Sequence, residues 1–266
     1  MMYLPVSVII PCFNCCKTIE RAITSINRQS NLPKEVIIVN DNSNDNSLKL
    51  VNSLVKKYKR LDIKIISLDK NSGPGIARNY GWKYSKFRYI AFLDSDDYWM
   101  PSKLKIQYNL LVKNPNYSLV SSELISFAHD NEIETSVRNI ELCKVNKFSM
   151  LFKNQIFTSS VMMKKTVTSR FPNNIRYSED FNLWLKMLFF ENCQISKINT
   201  PLVMNYKRKN FFDGVSSNLL EMQKGETYNL KMLYKGSKIN IVTLIISLSF
   251  SYIKFLKRLF LKKTGL

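Results

Sequence analysis

The chain holds a single histidine, His129, and only five cysteines, at Cys12, Cys15, Cys16, Cys143 and Cys193. A Cys/His zinc site needs several such ligands at set spacings, and that shortage argues against one. The cysteines give no even framework and no pair of CxxC motifs, which predicts a reducing compartment with the thiols as small buried hydrophobes. Long apolar runs are missing as well. The uncharged stretch Ile239–Ile253 is fifteen residues long and contains Asn240, Thr243 and three serines, short of the ~20 apolar residues that a membrane-spanning helix needs. The N-terminus, MMYLPVSVIIPCFN, has neither a basic segment nor a long apolar one, so no secretory signal is expected. Acid is scarce: 20 Asp and Glu face 40 Lys and Arg, a net charge of +20, and such a surface seeks anions.

What is present is ample apolar and aromatic material, 45% and 12% of 266 residues. That is enough for one packed domain with or without an appendage. Val6–Ile10, Glu35–Asn40, Ile63–Leu68 and Arg88–Leu93 read as strands. Amphipathic helices separate them over Thr18–Gln29, around Leu48–Val55, and from about Ile76 to Tyr84. Strands apolar on both faces, alternating with helices, predict a mainly parallel, Rossmann-like sheet covered on each side. Beyond Asp97 the spacing predicts a helix over Pro101–Lys113, a strand over Tyr117–Phe127, a short helix over Val145–Phe152, a strand over Phe157–Met163 and a helix over Ser178–Phe190, with Ser178 as its N-cap.

Ligands of such sheets bind beyond the carboxyl ends of the strands, and polar clusters fall there: PCFN, NDNS, NSGPGIARN and DSDD. The last is the most telling, because an apolar run (YIAFL) ends in three carboxylates within four positions. If the strand continues, Asp94 and Asp96 point one way and Asp97 the other. Two carboxylates aimed at one point call for a cation, and oxygen donors suit Mg²⁺ or Mn²⁺. Taken alone, the motif better fits an acidic strand end in water.

Five blocks in order, VSVIIPCFN, EVIIVNDNSNDNS, NSGPGIARNYG, YIAFLDSDDYW and YSEDFNLWLK, resemble those of family 2 glycosyltransferases over roughly residues 4–210. The resemblance implies the GT-A fold and an inverting transferase that moves a sugar from a UDP-sugar to an acceptor hydroxyl. By position it implies that Pro11, Phe13, Asn14, Asp41, Arg78, Asp94 and Ser95 contact the nucleotide-sugar. Asp96 would hold a divalent metal, Mn²⁺ or Mg²⁺, against the diphosphate. Asp180 would be the general base, with Glu179 positioning substrate. One departure is plain: many relatives carry a Tyr-Arg-x-His stretch where this chain has NYKRKNFFDGVSS, leaving Lys207, Arg208 or Lys209 to neutralise phosphate in place of the histidine. His129 reads as an ordinary surface residue.

The resemblance and the pattern together divide the chain into a transferase domain over 1–217 and a basic amphipathic helical tail over 218–266. The domain would have a nucleotide half (about 1–100) and an acceptor half (about 101–217). From Lys231 to Leu266 there are eight Lys or Arg and no acid. That composition predicts contact with an anionic membrane surface and placement on the cytoplasmic face of the bacterial inner membrane. The expected acceptor is a saccharide on undecaprenyl diphosphate, destined for O-antigen, capsule or lipopolysaccharide. Two other classes compete. A nucleic-acid-binding protein would cluster its cations with exposed aromatics, but here they are diffuse until the tail, so nucleic acid is not an expected partner. A dehydrogenase would need a GxGxxG loop after the first strand, which is missing. A non-catalytic sugar-nucleotide or scaffold protein with a degenerate GT-A fold is the remaining alternative, and retention of both DxD and ED opposes it.

Overall fold

The computed structural model describes residues 2–127, 140–206 and 218–264. Its first half alternates strand and helix: β1 (Tyr3–Cys12), α1 (Ile19–Asn27), β2 (Leu32–Asn40), α2 (Ser47–Lys57), β3 (Ile63–Ser67), α3 (Pro74–Tyr84) and β4 (Tyr89–Phe92). These four strands run parallel in the spatial order β3-β2-β1-β4. The crossover helices leave every strand's carboxyl end on one rim, and the polar clusters collect there.

The second half does not continue this pattern. After β5 (Asp97–Trp99) and α4 (Lys103–Lys113) come β6 (Tyr117–Phe127), β7 (Leu142–Lys144), α5 (Lys147–Met150), β8 (Met162–Lys164), α6 (Glu179–Phe189) and β9 (Gln194–Tyr206). Here β8 lies antiparallel between β4 and β6, and β9 pairs parallel with β6 but antiparallel with β5 and β7. The sheet is therefore parallel in its first four strands and mixed beyond them. Two helices, α7 (Leu219–Lys235) and α8 (Ile241–Thr264), close the chain.

Strand alternation splits the interior in two. Val6, Val8 and Ile10 of β1 face one core with Ile19, Ile23 and Ile26 of α1. Ile9 faces the other with Trp82 of α3, Ile90 and Phe92 of β4, and Leu183 and Trp184 of α6. Leu230 and Leu233 of α7 and Leu244 of α8 join this second core, so the start of the tail is packed against α6. Placing α3 and α6 on the same face of the sheet is what brings their polar ends together.

Several expectations are corrected here. The fourth strand ends at Phe92, and Asp94–Asp97 form a turn closed by the Asp97 N–H on the Asp94 carbonyl (3.1 Å). Strand alternation therefore does not set the directions of Asp94 and Asp96. Thr158–Ser160, expected as strand, form a 3-10 turn ahead of the short β8. Ser178 stands at the N-cap of α6 but does not cap it with its side chain. Its φ of +56° is left-handed, and its hydroxyl faces the Met222 carbonyl of α7 at 3.4 Å. Of the cysteines, Cys12 and Cys15 are buried, but Cys143 is exposed on a short strand.

Candidate active site

The rim above β1, β2 and β4 assembles from loops that hold one another. Pro11 and Cys12 end β1, with Pro11 buried beside Val39 of β2. The chain then turns outward: Phe13 and Asn14 are exposed, and Asn14 takes a left-handed φ of +48°. Asn14 is also a cross-loop tie. Its N–H donates to Ser43 Oγ (3.1 Å) and its Oδ1 accepts from the Asn44 N–H (3.0 Å). Asp41, buried just past β2, accepts backbone N–H bonds from Ser72 and Gly73, one on each carboxylate oxygen, both at 2.8 Å. It thereby binds the loop after β3 to the loop after β2. Gly73, at φ +90°, supplies a conformation that other residues rarely adopt.

The following helix, α3, carries Arg78 into the centre. Its guanidinium donates to Asp94 Oδ1 through Nη2 (2.6 Å) and to Glu179 Oε1 through Nη1 (3.1 Å). Gly75 makes the approach possible, because a Cβ there would lie 2.8 Å from the Glu179 Cγ. Burial opposes the charge on Arg78, but Asp94 and Glu179 outweigh it and hold the guanidinium protonated. One ion-pair chain thus links the turn after β4 to the first turn of α6.

That turn is anchored from outside the first half of the chain. Ser159 Oγ, in the 3-10 turn, accepts the Asp94 N–H at 3.0 Å, and the Ser159 carbonyl accepts from Trp99 Nε1 at 2.8 Å. Arg21 of α1 donates to the Asp96 carbonyl at 2.7 Å. Asp97 points inward and accepts from Asn205 Nδ2 at 2.7 Å. Burial, then the charges of Asp94 and Asp96, push its carboxyl up to about 8. Asp94 and Ser95 are half-buried and Asp96 is exposed at the lip.

At α6 the two acids differ. Glu179 is buried, and burial together with the Asp180 charge pushes its carboxyl up to about 7 against the pull of Arg78. Asp180 is half-buried in crowded surroundings. Its Oδ1 accepts the Phe181 N–H (2.7 Å) and its Oδ2 accepts from Asn154 Nδ2 (3.2 Å). Burial raises its carboxyl above the usual carboxylate range, with the Phe181 N–H the largest opposing pull. Both acids sit where a helix N-terminus favours negative charge, yet burial makes both hold protons more tightly than free carboxylates.

The site thus gathers Asp94, Arg78 and Glu179 by direct contact, with Asp180 next in chain to Glu179. Phe13, Asn14 and Asp41 lie on neighbouring loops of the same rim. Lys207, Arg208, Lys209 and His129 lie outside the described residues. Arg21, Asn154, Ser159 and Asn205 were missed from sequence, because each acts through a contact distant in the chain and none carries a local motif.

Among the described residues no three His, Cys, Asp or Glu side chains gather as a metal cage. The turn offers oxygen donors only. A hard divalent ion fits one or two carboxylates completed by phosphate and water. These residues suit an ion shared with a diphosphate, not a protein-only cage.

Residues 7–171, more than half the chain, match the family described as glycosyl transferase family 2. The chain belongs to that family. It is 30% identical over 212 residues to the Escherichia coli UDP-Glc:alpha-D-GlcNAc-diphosphoundecaprenol beta-1,3-glucosyltransferase WfgD, with 76% of each chain covered. It is 32% identical to the putative teichuronic acid biosynthesis glycosyltransferase TuaG of Bacillus subtilis, over 69% of this chain and 71% of that one. Among solved structures, S. aureus TarS 1-349 in complex with UDP-GlcNAc superposes with a TM-score of 0.70 at 20% identity, covering 97% of this chain and 72% of that one. The chain spans 40% of a longer TarS structure. A mannosyltransferase from Pyrobaculum calidifontis, in complex with GDP-Man and Mn²⁺, superposes at 0.66 with 15% identity. These last likenesses concern the fold, which is GT-A. As a family 2 glycosyltransferase the chain is an enzyme, and the degenerate, non-catalytic alternative falls away.

Proposed function

We propose that this glycosyltransferase moves a sugar, with inversion, from a UDP-sugar to a hydroxyl of a saccharide carried on undecaprenyl diphosphate, in the assembly of a bacterial surface polysaccharide. The observation that supports the reading is the Arg78 bridge, which joins Asp94 of the DSD turn to Glu179 of the ED pair. Relatives named for a diphosphoundecaprenol acceptor and for teichuronic acid synthesis support the choice of substrates.

In this reading Phe13 offers its exposed ring to the base, and Asp41 stiffens the rim beneath it. Asp96, with Asp94 beside it, would hold Mg²⁺ or Mn²⁺, which supplies charge neutralisation to a leaving diphosphate. Asp180 takes the proton of the acceptor hydroxyl as that oxygen attacks the anomeric carbon. Each of its oxygens keeps a lone pair beyond the one given to Phe181 or Asn154. A carboxyl raised by burial is a stronger base than a free one. Glu179, held by Arg78, shapes the pocket beside it and positions substrate. Residues 1–217 would carry the chemistry, and 218–266 would hold the enzyme as a peripheral protein on the cytoplasmic face of the inner membrane. No helix among the described residues is long and apolar enough to cross a membrane.

A donor screen decides the reading. Purified enzyme, Mn²⁺ and a synthetic GlcNAc-diphospholipid are incubated with UDP-glucose, UDP-galactose, UDP-GlcNAc or GDP-mannose, and product is read by mass spectrometry. Transfer from one UDP-sugar is expected; transfer from GDP-mannose alone would overturn the donor class.

A further inference from the structure

The second closing helix turns most of its large apolar side chains outward. On α8 the residues turned toward the protein include Ser247 and Ser251, both buried. Ser251 Oγ donates to Glu226 Oε2 at 2.7 Å and accepts from Gln223 Nε2 at 3.0 Å, both on α7. Apart from Ser249, the residues along the face turned away from the protein are large and apolar. Val242, Ile246, Ile253, Leu256 and Phe260 follow one another at spacings of 4, 7, 3 and 4, a single stripe along the helix. Each of the five is 54–63% exposed. A surface helix in water is built the other way round, with its branched and aromatic side chains inward. An apolar stripe of this length, interrupted once by the exposed Ser249, marks a binding face, unlike single exposed hydrophobic residues.

The charges say what covers it. Residues 241–264 contain no acid. Lys254 and Arg258 turn back to Glu226 of α7, at 3.3 and 3.4 Å. Lys257 and Lys263 lie exposed on the two flanks of the stripe in the last two turns. An apolar stripe with cations beside it and no acid complements the boundary between acyl chains and anionic headgroups. A second copy pairing in parallel along the same stripe would bring the two sets of lysines together.

We infer that the outward stripe of α8, Val242 to Phe260, is the membrane-docking face of this enzyme, lying in the plane of an anionic bilayer. The α7–α8 packing, with Ser251 tied to Gln223 and Glu226 and Leu244 in the α6 core, fixes that face relative to the catalytic cleft. With its inner face held in this way, docking by the stripe sets the height of the Arg78 site above the lipid. The inference deepens, and rests on, the peripheral placement proposed above. Its test contains neither donor nor acceptor, so it fails or stands apart from the reading of the reaction.

Because deletion of the helix would also strip Leu244 and Ser251 from their partners, the test is confined to the outward stripe. Full-length enzyme is sedimented with vesicles of phosphatidylcholine containing about one-third phosphatidylglycerol, and with phosphatidylcholine alone. Wild type is expected to pellet with the anionic vesicles. The combined Ile246→Ser, Ile253→Ser and Leu256→Ser variant should lose partitioning by about tenfold or more, with its circular dichroism and its melting temperature unchanged. Lys257→Gln and Lys263→Gln should each cost roughly fivefold on anionic vesicles and nothing on neutral ones. Pelleting of the triple-serine variant like wild type would overturn the proposal, as would wild type that ignores both vesicles. A wild-type dimer by light scattering that becomes a monomer in the triple-serine variant, with no vesicle binding by either, would assign the stripe to self-association and overturn it too.

Discussion

Two acidic regions meet at Arg78, and they are built in opposite ways. The turn Asp94–Asp97 comes straight off a buried strand, with Asp94 and Ser95 half-buried and Asp96 exposed at the lip. The pair Glu179 and Asp180 begins a helix whose remaining residues are almost all buried, and burial drives both carboxyls upward. The same residue type therefore serves two purposes. At the exposed lip, oxygen donors are open to a cation and a diphosphate. In the crowded helix start, a carboxyl is poised to exchange a proton. Arg78 keeps them apart in charge yet together in space, because its guanidinium faces both.

The largest expected effect tests the lip. Asp96→Ala should leave no measurable turnover and abolish the protection from thermal unfolding that UDP with Mn²⁺ gives. The unliganded melting temperature should stay within a few degrees of wild type, since exposed positions contribute little to stability. Full activity of Asp96→Ala without added metal would remove the ion from this turn. Asp94→Ala should be milder in turnover and chiefly raise the apparent KM for donor.

The helix start is tested next. Asp180→Asn should lower kcat by ~10²–10⁴-fold, the usual cost of a lost general base, with UDP affinity within about twofold of wild type by calorimetry. The amide keeps the shape and can still accept the Phe181 N–H, but it takes no proton. If Glu179→Gln instead carried the loss, the roles of the two acids would be exchanged.

Burial of Glu179 also predicts how stability follows pH. Its folded carboxyl titrates at about 7 and its unfolded one at 4.5. Between those values the folded state holds a proton that the unfolded state has released, so stability falls as pH rises through that window. The fall attributable to this group is on the order of 2–3 kcal/mol, read by urea unfolding of metal-free enzyme at pH 4.5, 6 and 7.5. Glu179→Gln should make the fall shallower in that window, the rest coming from Asp97 and Asp180, whose carboxyls burial also raises. An unchanged slope in the variant would place the linked proton elsewhere.

How much of this was visible in the chain follows the same division. The four parallel strands announce themselves as apolar runs, so the rim and its residues Asn14, Asp41, Arg78 and Asp94 could be located in advance. Their partners could not all be foreseen. That Asp41 accepts from Ser72 and Gly73, and that Arg78 reaches Glu179 over 101 positions, depends on which helices share a sheet face. The short strands β5 and β8 are three residues each, too brief for alternation to register. The turn after β4 defeated the extended-chain reading because the strand stops at Phe92, two residues before the first carboxylate. The outward apolar face of α8 was half visible: its composition pointed to lipid, but which side faces α7 required the contacts of Ser251 and Leu244.

The smallest expected effect separates positioning from chemistry within the helix start. Asn154 has its Oδ1 pinned by the Ile156 N–H at 3.1 Å, which fixes the amide so that Nδ2 faces Asp180 Oδ2 at 3.2 Å. That donor stabilises the ionised form of Asp180 and so holds its carboxyl lower than burial alone would. In Asn154→Ala the carboxyl should rise further, and the acid limb of the kcat profile should move to higher pH. A hydrogen bond to a charged group of ~1.5 kcal/mol corresponds to about one pH unit. At the pH optimum kcat should drop only severalfold, because the base and its path to the acceptor remain. Asn154→Ser, whose shorter hydroxyl can donate through a water, should recover part of the shift. A loss of kcat that is uniform across pH would mean that Asn154 merely supports the loop, and the asymmetry between the lip and the helix start would then rest on burial alone.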